Sequence, residues 1–195
     1  MKKFTFIFAM GVVVASLSAI VACNSSTQAS AGEVIISQDS LVKLGAYLVN
    51  SIGCDDCHSP KKLGPNGPEI IEELRFSGHP SGSVLPKADT NVAKQGWMLF
   101  APDLTAFVGP WGMSYAANIS SHETGIGLWS EEQFIYAIRE GKLKGLKESR
   151  PLLPPMPWPQ YRNLKDQDLK AIFAFLKSTK PVENRVPGWK KWNEL

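Results

Sequence analysis

The spacing of hydrophobic residues predicts three amphipathic helices joined by long irregular segments. In residues 40–52, apolar positions recur at i, i+3, i+4 and i+7. Residues 130–140 carry a capping box, because Ser130 is followed three positions later by Gln133. Residues 166–178 repeat the helical spacing. No stretch shows a convincing strand pattern, so the sequence predicts an all-α fold.

Capping residues and glycines define these helices further. Asp39 or Ser40 is the expected cap of the first helix, Gly141 ends the second, and Pro181 stops the third. Gly45 lies inside the first helix, where glycine costs about 1 kcal/mol relative to alanine. Either close packing by another helix requires this glycine, or it is merely tolerated.

Residues 59–128 contain most of the glycines and prolines and have little helical periodicity. A structureless loop of this length is unusual inside a compact domain. We therefore expect the segment to wrap around a bound group and to pack its aromatic side chains. These are Phe76, Trp97, Phe100, Phe107, Trp111 and Tyr115.

The amino-terminal 22 residues have the pattern of a secretory signal peptide: Lys2 and Lys3, an apolar run, then small residues. The next residue is Cys23. The run Ile20-Val21-Ala22-Cys23 resembles the lipobox of bacterial lipoproteins, which implies cleavage before Cys23 and a lipid on its thiol. The alternative is an ordinary signal peptide that leaves Cys23 as a free thiol.

The predicted organisation is a signal peptide (1–22), the lipidated cysteine with a flexible tether (23–34), a folded domain (35–181) and a tail (182–195). Without residues 1–22, 19 basic and 18 acidic residues remain, so charge gives no reason to expect nucleic-acid binding. No later apolar run approaches the ~20 residues that span a bilayer. We expect an exported protein on the periplasmic or cell-surface side, held to a bacterial membrane by its lipid.

The strongest chemical pattern is C-D-D-C-H at residues 54–58, the haem-attachment motif C-x-x-C-H. The thiols of Cys54 and Cys57 would each add to one haem vinyl group, and His58 would bind the iron. Two alternatives remain. A redox disulfide requires a βαβ context, and a zinc site requires a second pair of Cys or His ligands.

Histidine is possible as the second iron ligand, but we expect a methionine, because its thioether favours ferrous iron. Met98 and Met113 have aromatic neighbours, where methionine usually fills gaps. Met156 lies in a proline-rich loop before the last helix, and the prolines restrict its backbone. The alternative is a rigid surface loop that happens to contain Met156.

The order of these elements resembles that of class I mono-haem c-type cytochromes, from about residue 41 to residue 179. A second pattern is similar to the cytochrome domains found with bacterial periplasmic dehydrogenases. It comprises Asn118-Ile119, Thr124-Gly125-Ile126-Gly127, Trp129 to Glu132, Phe134, Ala137, Arg139, Gly141, Pro155-Met156-Pro157 and Tyr161, with Ser77-Gly78-His79-Pro80 upstream.

The resemblance implies one covalent haem c, attached to Cys54 and Cys57, with His58 and Met156 as axial ligands. It also implies that a proline carbonyl, here best matched by Pro65, accepts the hydrogen bond of the ligand histidine. His79 and His122 are expected to be surface or packing residues. The alternative is that one of them replaces Met156 or contacts a haem propionate.

These features predict a single-electron carrier with unknown redox partner proteins, and not an enzyme by itself. One alternative is the haem-bearing subunit of a periplasmic dehydrogenase complex. Another is a haem sensor or ligand-binding protein whose sixth iron position is open or weakly occupied.

Overall fold

The three predicted helices are present in the structure, a computed structural model that describes residues 37–195. The predicted signal peptide, Cys23 and the tether lie outside the described residues. The helices of the described part are α1 (Gln38–Ser51), α2 (Cys54–His58), α3 (Thr90–Lys94), α4 (Glu131–Glu140), α5 (Trp158–Tyr161) and α6 (Asp166–Ser178). None of the helices from residue 37 onward is long and apolar enough to cross a membrane.

Local sequence sets the ends of these helices. The Ser130 hydroxyl accepts from the amide of Gln133 at 3.1 Å, and Gly141 ends α4 with a φ of +60°, as predicted. The cap of α1 differs from the prediction. It is Ser37, whose hydroxyl accepts from the amide of Ser40 at 3.2 Å, so α1 starts before residue 40.

The core lies between α1, α4 and α6, with α1 packed mainly against α6. A Cβ atom on Gly45 would lie 1.9 Å from the carbonyl oxygen of Ala171 in α6. Close helix packing is therefore the reason for the glycine. The buried apolar cluster consists of Val49, Phe76, Ile126, Phe134, Ile138, Leu169, Ile172, Phe173 and Leu176.

The all-α prediction holds for this helical core but is wrong for residues 59–128, which contain strands. A hairpin pairs β1 (Lys61–Gly64) with β2 (Gly67–Ile70). A three-stranded antiparallel sheet has the order β3 (Leu99–Phe100), β4 (Ala106–Gly109), β5 (Gly112–Tyr115). Strands of two to four residues are too short to show a clear alternation of polar and apolar positions.

The aromatic residues of this segment are only partly packed inside, contrary to the expectation. Phe76 and Phe107 are buried, whereas Trp97 is 67% exposed and Phe100 49% exposed.

The C-terminal tail packs against this segment. The indole N–H of Trp189 donates to the carbonyl of Trp111 at 2.8 Å, and Trp192 donates to Pro110 at 3.0 Å.

Candidate functional site

The C-x-x-C-H motif opens onto a largely apolar cavity of about 570 Å³, within the range of ~300–1,000 Å³ that is usual for cofactor sites. The helical core forms one side of it, and β4, β5 and the following residues form another. Five residues of the tail, 185–189, complete the wall. The long segment 59–128 is therefore part of the site, as its length suggested.

The two cysteines line this cavity as unpaired thiols at the ends of one helical turn. Gly53, with a φ of +75°, starts that turn, and a Cβ there would lie 2.5 Å from the Asp56 carboxylate. Burial raises the pKa of the Cys54 thiol to about 12, with a further contribution from Asp55 and Asp56. Burial also raises the pKa of Cys57.

These raised pKa values argue against a redox disulfide pair. Redox C-x-x-C motifs have at least one thiol with a lowered pKa, since the thiolate is the reactive species. A zinc site also lacks ligands, because residues 37–195 contain no cluster of His, Cys, Asp and Glu that could hold a metal ion.

His58 is oriented by a backbone carbonyl that the sequence did not indicate. Its Nδ1 lies 2.7 Å from the carbonyl oxygen of Ala117. Because a carbonyl oxygen only accepts, Nδ1 carries the proton and Nε2 has a free lone pair. Burial lowers the pKa of His58, which favours the neutral imidazole that binds metals.

The prediction that the Pro65 carbonyl accepts the hydrogen bond of His58 is wrong. Pro65 lies in the exposed two-residue turn between β1 and β2 and is not among the residues that line the cavity. The acceptor is instead supplied by Ala117, 59 residues after the histidine.

The segment Ser77-Gly78-His79 fixes the position of this acceptor. The amide of Gly78 donates to the carbonyl of His58 at 2.8 Å, and the amide of His79 donates to Ala116 at 2.9 Å. Gly78 has a φ of +72°, and a Cβ on it would lie 2.4 Å from the Ala116 oxygen. A glycine is therefore required between the motif and the segment after β5 that carries Ala117.

Met156 also lines the cavity, and its loop is fixed on both sides. The Ser114 hydroxyl in β5 donates to the carbonyl of Pro154 at 2.7 Å. The Tyr161 hydroxyl donates to the carbonyl of Ile52, just before the motif, at 2.7 Å. Met98 and Met113 do not line the cavity.

His79 and His122 occupy packing positions and are not among the residues that line the cavity. His79 is buried, with its Nδ1 2.8 Å from the Thr105 hydroxyl and its ring stacked on Tyr115. The Nδ1 of His122 lies 2.9 Å from the Thr124 hydroxyl. The alternative roles, replacement of Met156 or contact with a haem propionate, are therefore not supported.

The cavity fits a haem in its chemistry as well as its size. It brings together two thiols, an imidazole with a free Nε2, and a thioether, in largely apolar surroundings. Lys144, Arg150 and Arg185 also contribute to its lining and provide positive charge for anionic propionates.

Comparison with known proteins points to cytochrome subunits, although no protein-family model matches. The chain is similar to the gluconate 2-dehydrogenase cytochrome c subunit of Pantoea cypripedii, with 32% identity over 146 residues, covering 74% of this chain and 24% of that protein. It is 37% identical to the alcohol dehydrogenase (quinone) cytochrome c subunit of Gluconobacter oxydans over 82 residues, which cover 40% of this chain and 16% of that protein.

A third relative is the fructose dehydrogenase cytochrome subunit of Gluconobacter japonicus, 36% identical over 85 residues, which cover 42% of this chain and 17% of that protein. The chain thus spans about a quarter or less of the length of these curated relatives. All three carry the name of a cytochrome subunit, which agrees with the chemistry of the cavity.

Proposed function

We propose that this protein is a c-type cytochrome that transfers single electrons through one covalently bound haem. Cys54 and Cys57 attach the haem, and His58 and Met156 are the axial ligands. One observation carries the proposal: these four residues line the same apolar cavity, and neither Met98 nor Met113 does.

The bound haem iron supplies the one-electron chemistry, alternating between its ferric and ferrous states. The protein supplies position and environment. Ala117 keeps the proton of His58 on Nδ1 and so presents Nε2 as the ligand. The anchored loop holds the Met156 thioether at the cavity, and the apolar wall limits access of water to it.

The names of the relatives support a place in a dehydrogenase complex, in which this chain accepts electrons from a catalytic subunit. We propose that the chain itself performs no substrate chemistry, since His58 and Met156 would both bind the iron and leave no position for a substrate. Export and a lipid on Cys23 would keep it on the periplasmic or cell-surface side of a bacterial membrane.

Spectroscopy of the exported full-length chain tests the haem assignment. We expect the mass of one haem and a c-type pyridine haemochrome spectrum, and the double substitution of Cys54→Ala and Cys57→Ala should abolish both. A wild-type protein without covalent haem would refute the proposal.

The sixth ligand is tested with a matched pair of methionine variants. Met156→Ala should lose the weak sulfur-to-iron band of the ferric protein, and the reduced variant should bind carbon monoxide. Met113→Ala removes the same side chain outside the cavity and should behave like the wild type. Ready binding of carbon monoxide by the wild type would favour the sensor or ligand-binding alternative.

Two further experiments address location and partners. Cys23→Ser should move the protein from the membrane fraction to the soluble fraction if the lipid is the anchor. Purification of the tagged protein from its own cells should co-purify a dehydrogenase if it is a complex subunit, and not if it is a free carrier.

A further inference from the structure

The two aspartates inside the C-x-x-C-H motif have different environments. Asp56 is exposed, whereas Asp55, which directly follows the first cysteine, is only 9% exposed. A carboxylate at this depth requires partners, because burial of an uncompensated charge is costly. Asp55 has two partners, the hydroxyl of Ser59 and the guanidinium of Arg75.

Arg75 binds Asp55 with two nitrogens. Its Nη2 donates to Oδ2 at 2.6 Å, and its Nε donates to Oδ1 at 3.0 Å. The Ser59 hydroxyl donates to the Oδ1 atom of Asp55 at 2.6 Å. The carboxylate is therefore fixed in one orientation, with both of its oxygens occupied.

Arg75 also connects the haem motif to two other parts of the fold. Its Nη2 donates to the side-chain oxygen of Asn50 in α1 at 2.9 Å. The next residue, Phe76, lies in the core and donates its amide to the Ser59 hydroxyl at 2.9 Å. Arg75 is thus held by the core segment that also positions the acceptor of His58.

The charge of Asp55 lies close to the proposed iron site, three residues before His58 and beside Cys54. Reduction adds one electron and lowers the charge of the haem by one, so a nearby negative charge opposes it. The opposing effect is strong at a buried position because water screens it poorly. A paired guanidinium opposes this field.

We propose that Arg75 is a positioning residue for the haem site, which holds Asp55 against the motif and balances its negative charge next to the iron. This proposal rests on the proposed function, since it needs a haem in the cavity. The observations that carry it are the two-point contact and the burial of Asp55.

Redox titration of the holoprotein at pH 8 tests the proposal through the sign of the shift in midpoint potential. Arg75→Gln removes the cation paired with the Asp55 carboxylate and should lower the potential. Asp55→Asn, which has the same shape, leaves the guanidinium unbalanced and should raise it. The double variant should return close to the wild-type value, because both charges are then absent.

Two control variants separate charge from structure. Arg75→Lys keeps the charge but loses the two-point geometry, so it should unfold more easily while its potential stays near that of the wild type. Asp56→Asn removes an equal charge from an exposed position, and its shift should be clearly smaller than that of Asp55→Asn.

Shifts of the same sign in Arg75→Gln and Asp55→Asn would overturn the proposal, as would a shift in Arg75→Lys equal to that in Arg75→Gln. If Asp55→Asn does not acquire haem, the midpoint potentials of Arg75→Gln and Arg75→Lys still test the proposal. Failure of the proposed function has a different signature, because the wild type itself would then lack a c-type haem spectrum.

Discussion

Gly78→Ala should damage both the stability of the protein and the orientation of His58. Gly78 has a left-handed φ of +72°, which costs an L-residue about 1–2 kcal/mol. The added Cβ would lie 2.4 Å from the Ala116 oxygen, and relief of such overpacking costs about 1–3 kcal/mol. We therefore expect a loss of about 2–5 kcal/mol in the free energy of unfolding, measured by denaturant titration of the holoprotein.

A second effect concerns the haem itself. Displacement of the segment after β5 that carries Ala117 weakens the hydrogen bond from Nδ1 of His58, which makes the imidazole a weaker electron-pair donor to iron. The midpoint potential should rise, because a weaker donor stabilises the ferric state less. Redox titration of the variant measures this shift.

Two glycines provide controls for these effects. A Cβ on Gly82 would meet nothing within 4 Å at an ordinary φ, so Gly82→Ala should leave stability nearly unchanged. Gly67 has a φ of +122° in open space, so Gly67→Ala should destabilise the protein without changing its potential. If Gly78→Ala matches Gly82→Ala in stability and in potential, the proposed role of Gly78 is refuted.

Three other substitutions test contacts that hold the fold together. Tyr161→Phe removes the bond to Ile52 and should reduce the loss of stability between pH 10 and about 12, which pH-dependent unfolding measures. Burial raises the pKa of Tyr161 to about 12, so the phenol ionises first in the unfolded chain. Gly45→Ala should lower the midpoint of thermal unfolding, because its Cβ would overlap the Ala171 carbonyl. Asn184→Ala should make residues 185–189 more sensitive to limited proteolysis, since the Asn184 amide holds the tail to the carbonyls of residues 77 and 79.

The helical core could be predicted because its helices are long enough to repeat their pattern. The spacing in α4 and α6 covers ten or more residues, and a capping serine or a helix-breaking residue marks their ends. The strands of the inserted segment have two to four residues, and their pairing depends on turns and on contacts with the tail. Such non-local pairing leaves little trace in the sequence of each strand.

The side chains of the candidate site could be named from the sequence, but the groups that orient them could not. The spacing of Cys54, Cys57 and His58 is itself the signal, and prolines set Met156 apart from the other methionines. Ala117 acts through its backbone carbonyl, so its residue type carries no information about this role. The prediction of Pro65 failed because it assumed an acceptor shortly after the motif.

The acidic pair of the motif illustrates a different limit. Asp55 and Asp56 are chemically identical in the sequence, and only the position of Arg75, twenty residues later, distinguishes them. The burial of Asp55 and its pairing with Arg75 are properties of the folded chain, and no local pattern around the motif predicts them.

The wall of the cavity is built from segments far downstream of the two cysteines, which bears on the order in which the parts of the site emerge with the chain. Ala117 follows His58 by 59 positions, and Asn184 contacts Ser77 across 107 positions. A chain that emerges from its amino end therefore presents Cys54 and Cys57 to solvent well before the residues that enclose them arrive. We expect the thiols to be accessible for haem attachment during this interval, and the cavity to close around the haem afterwards.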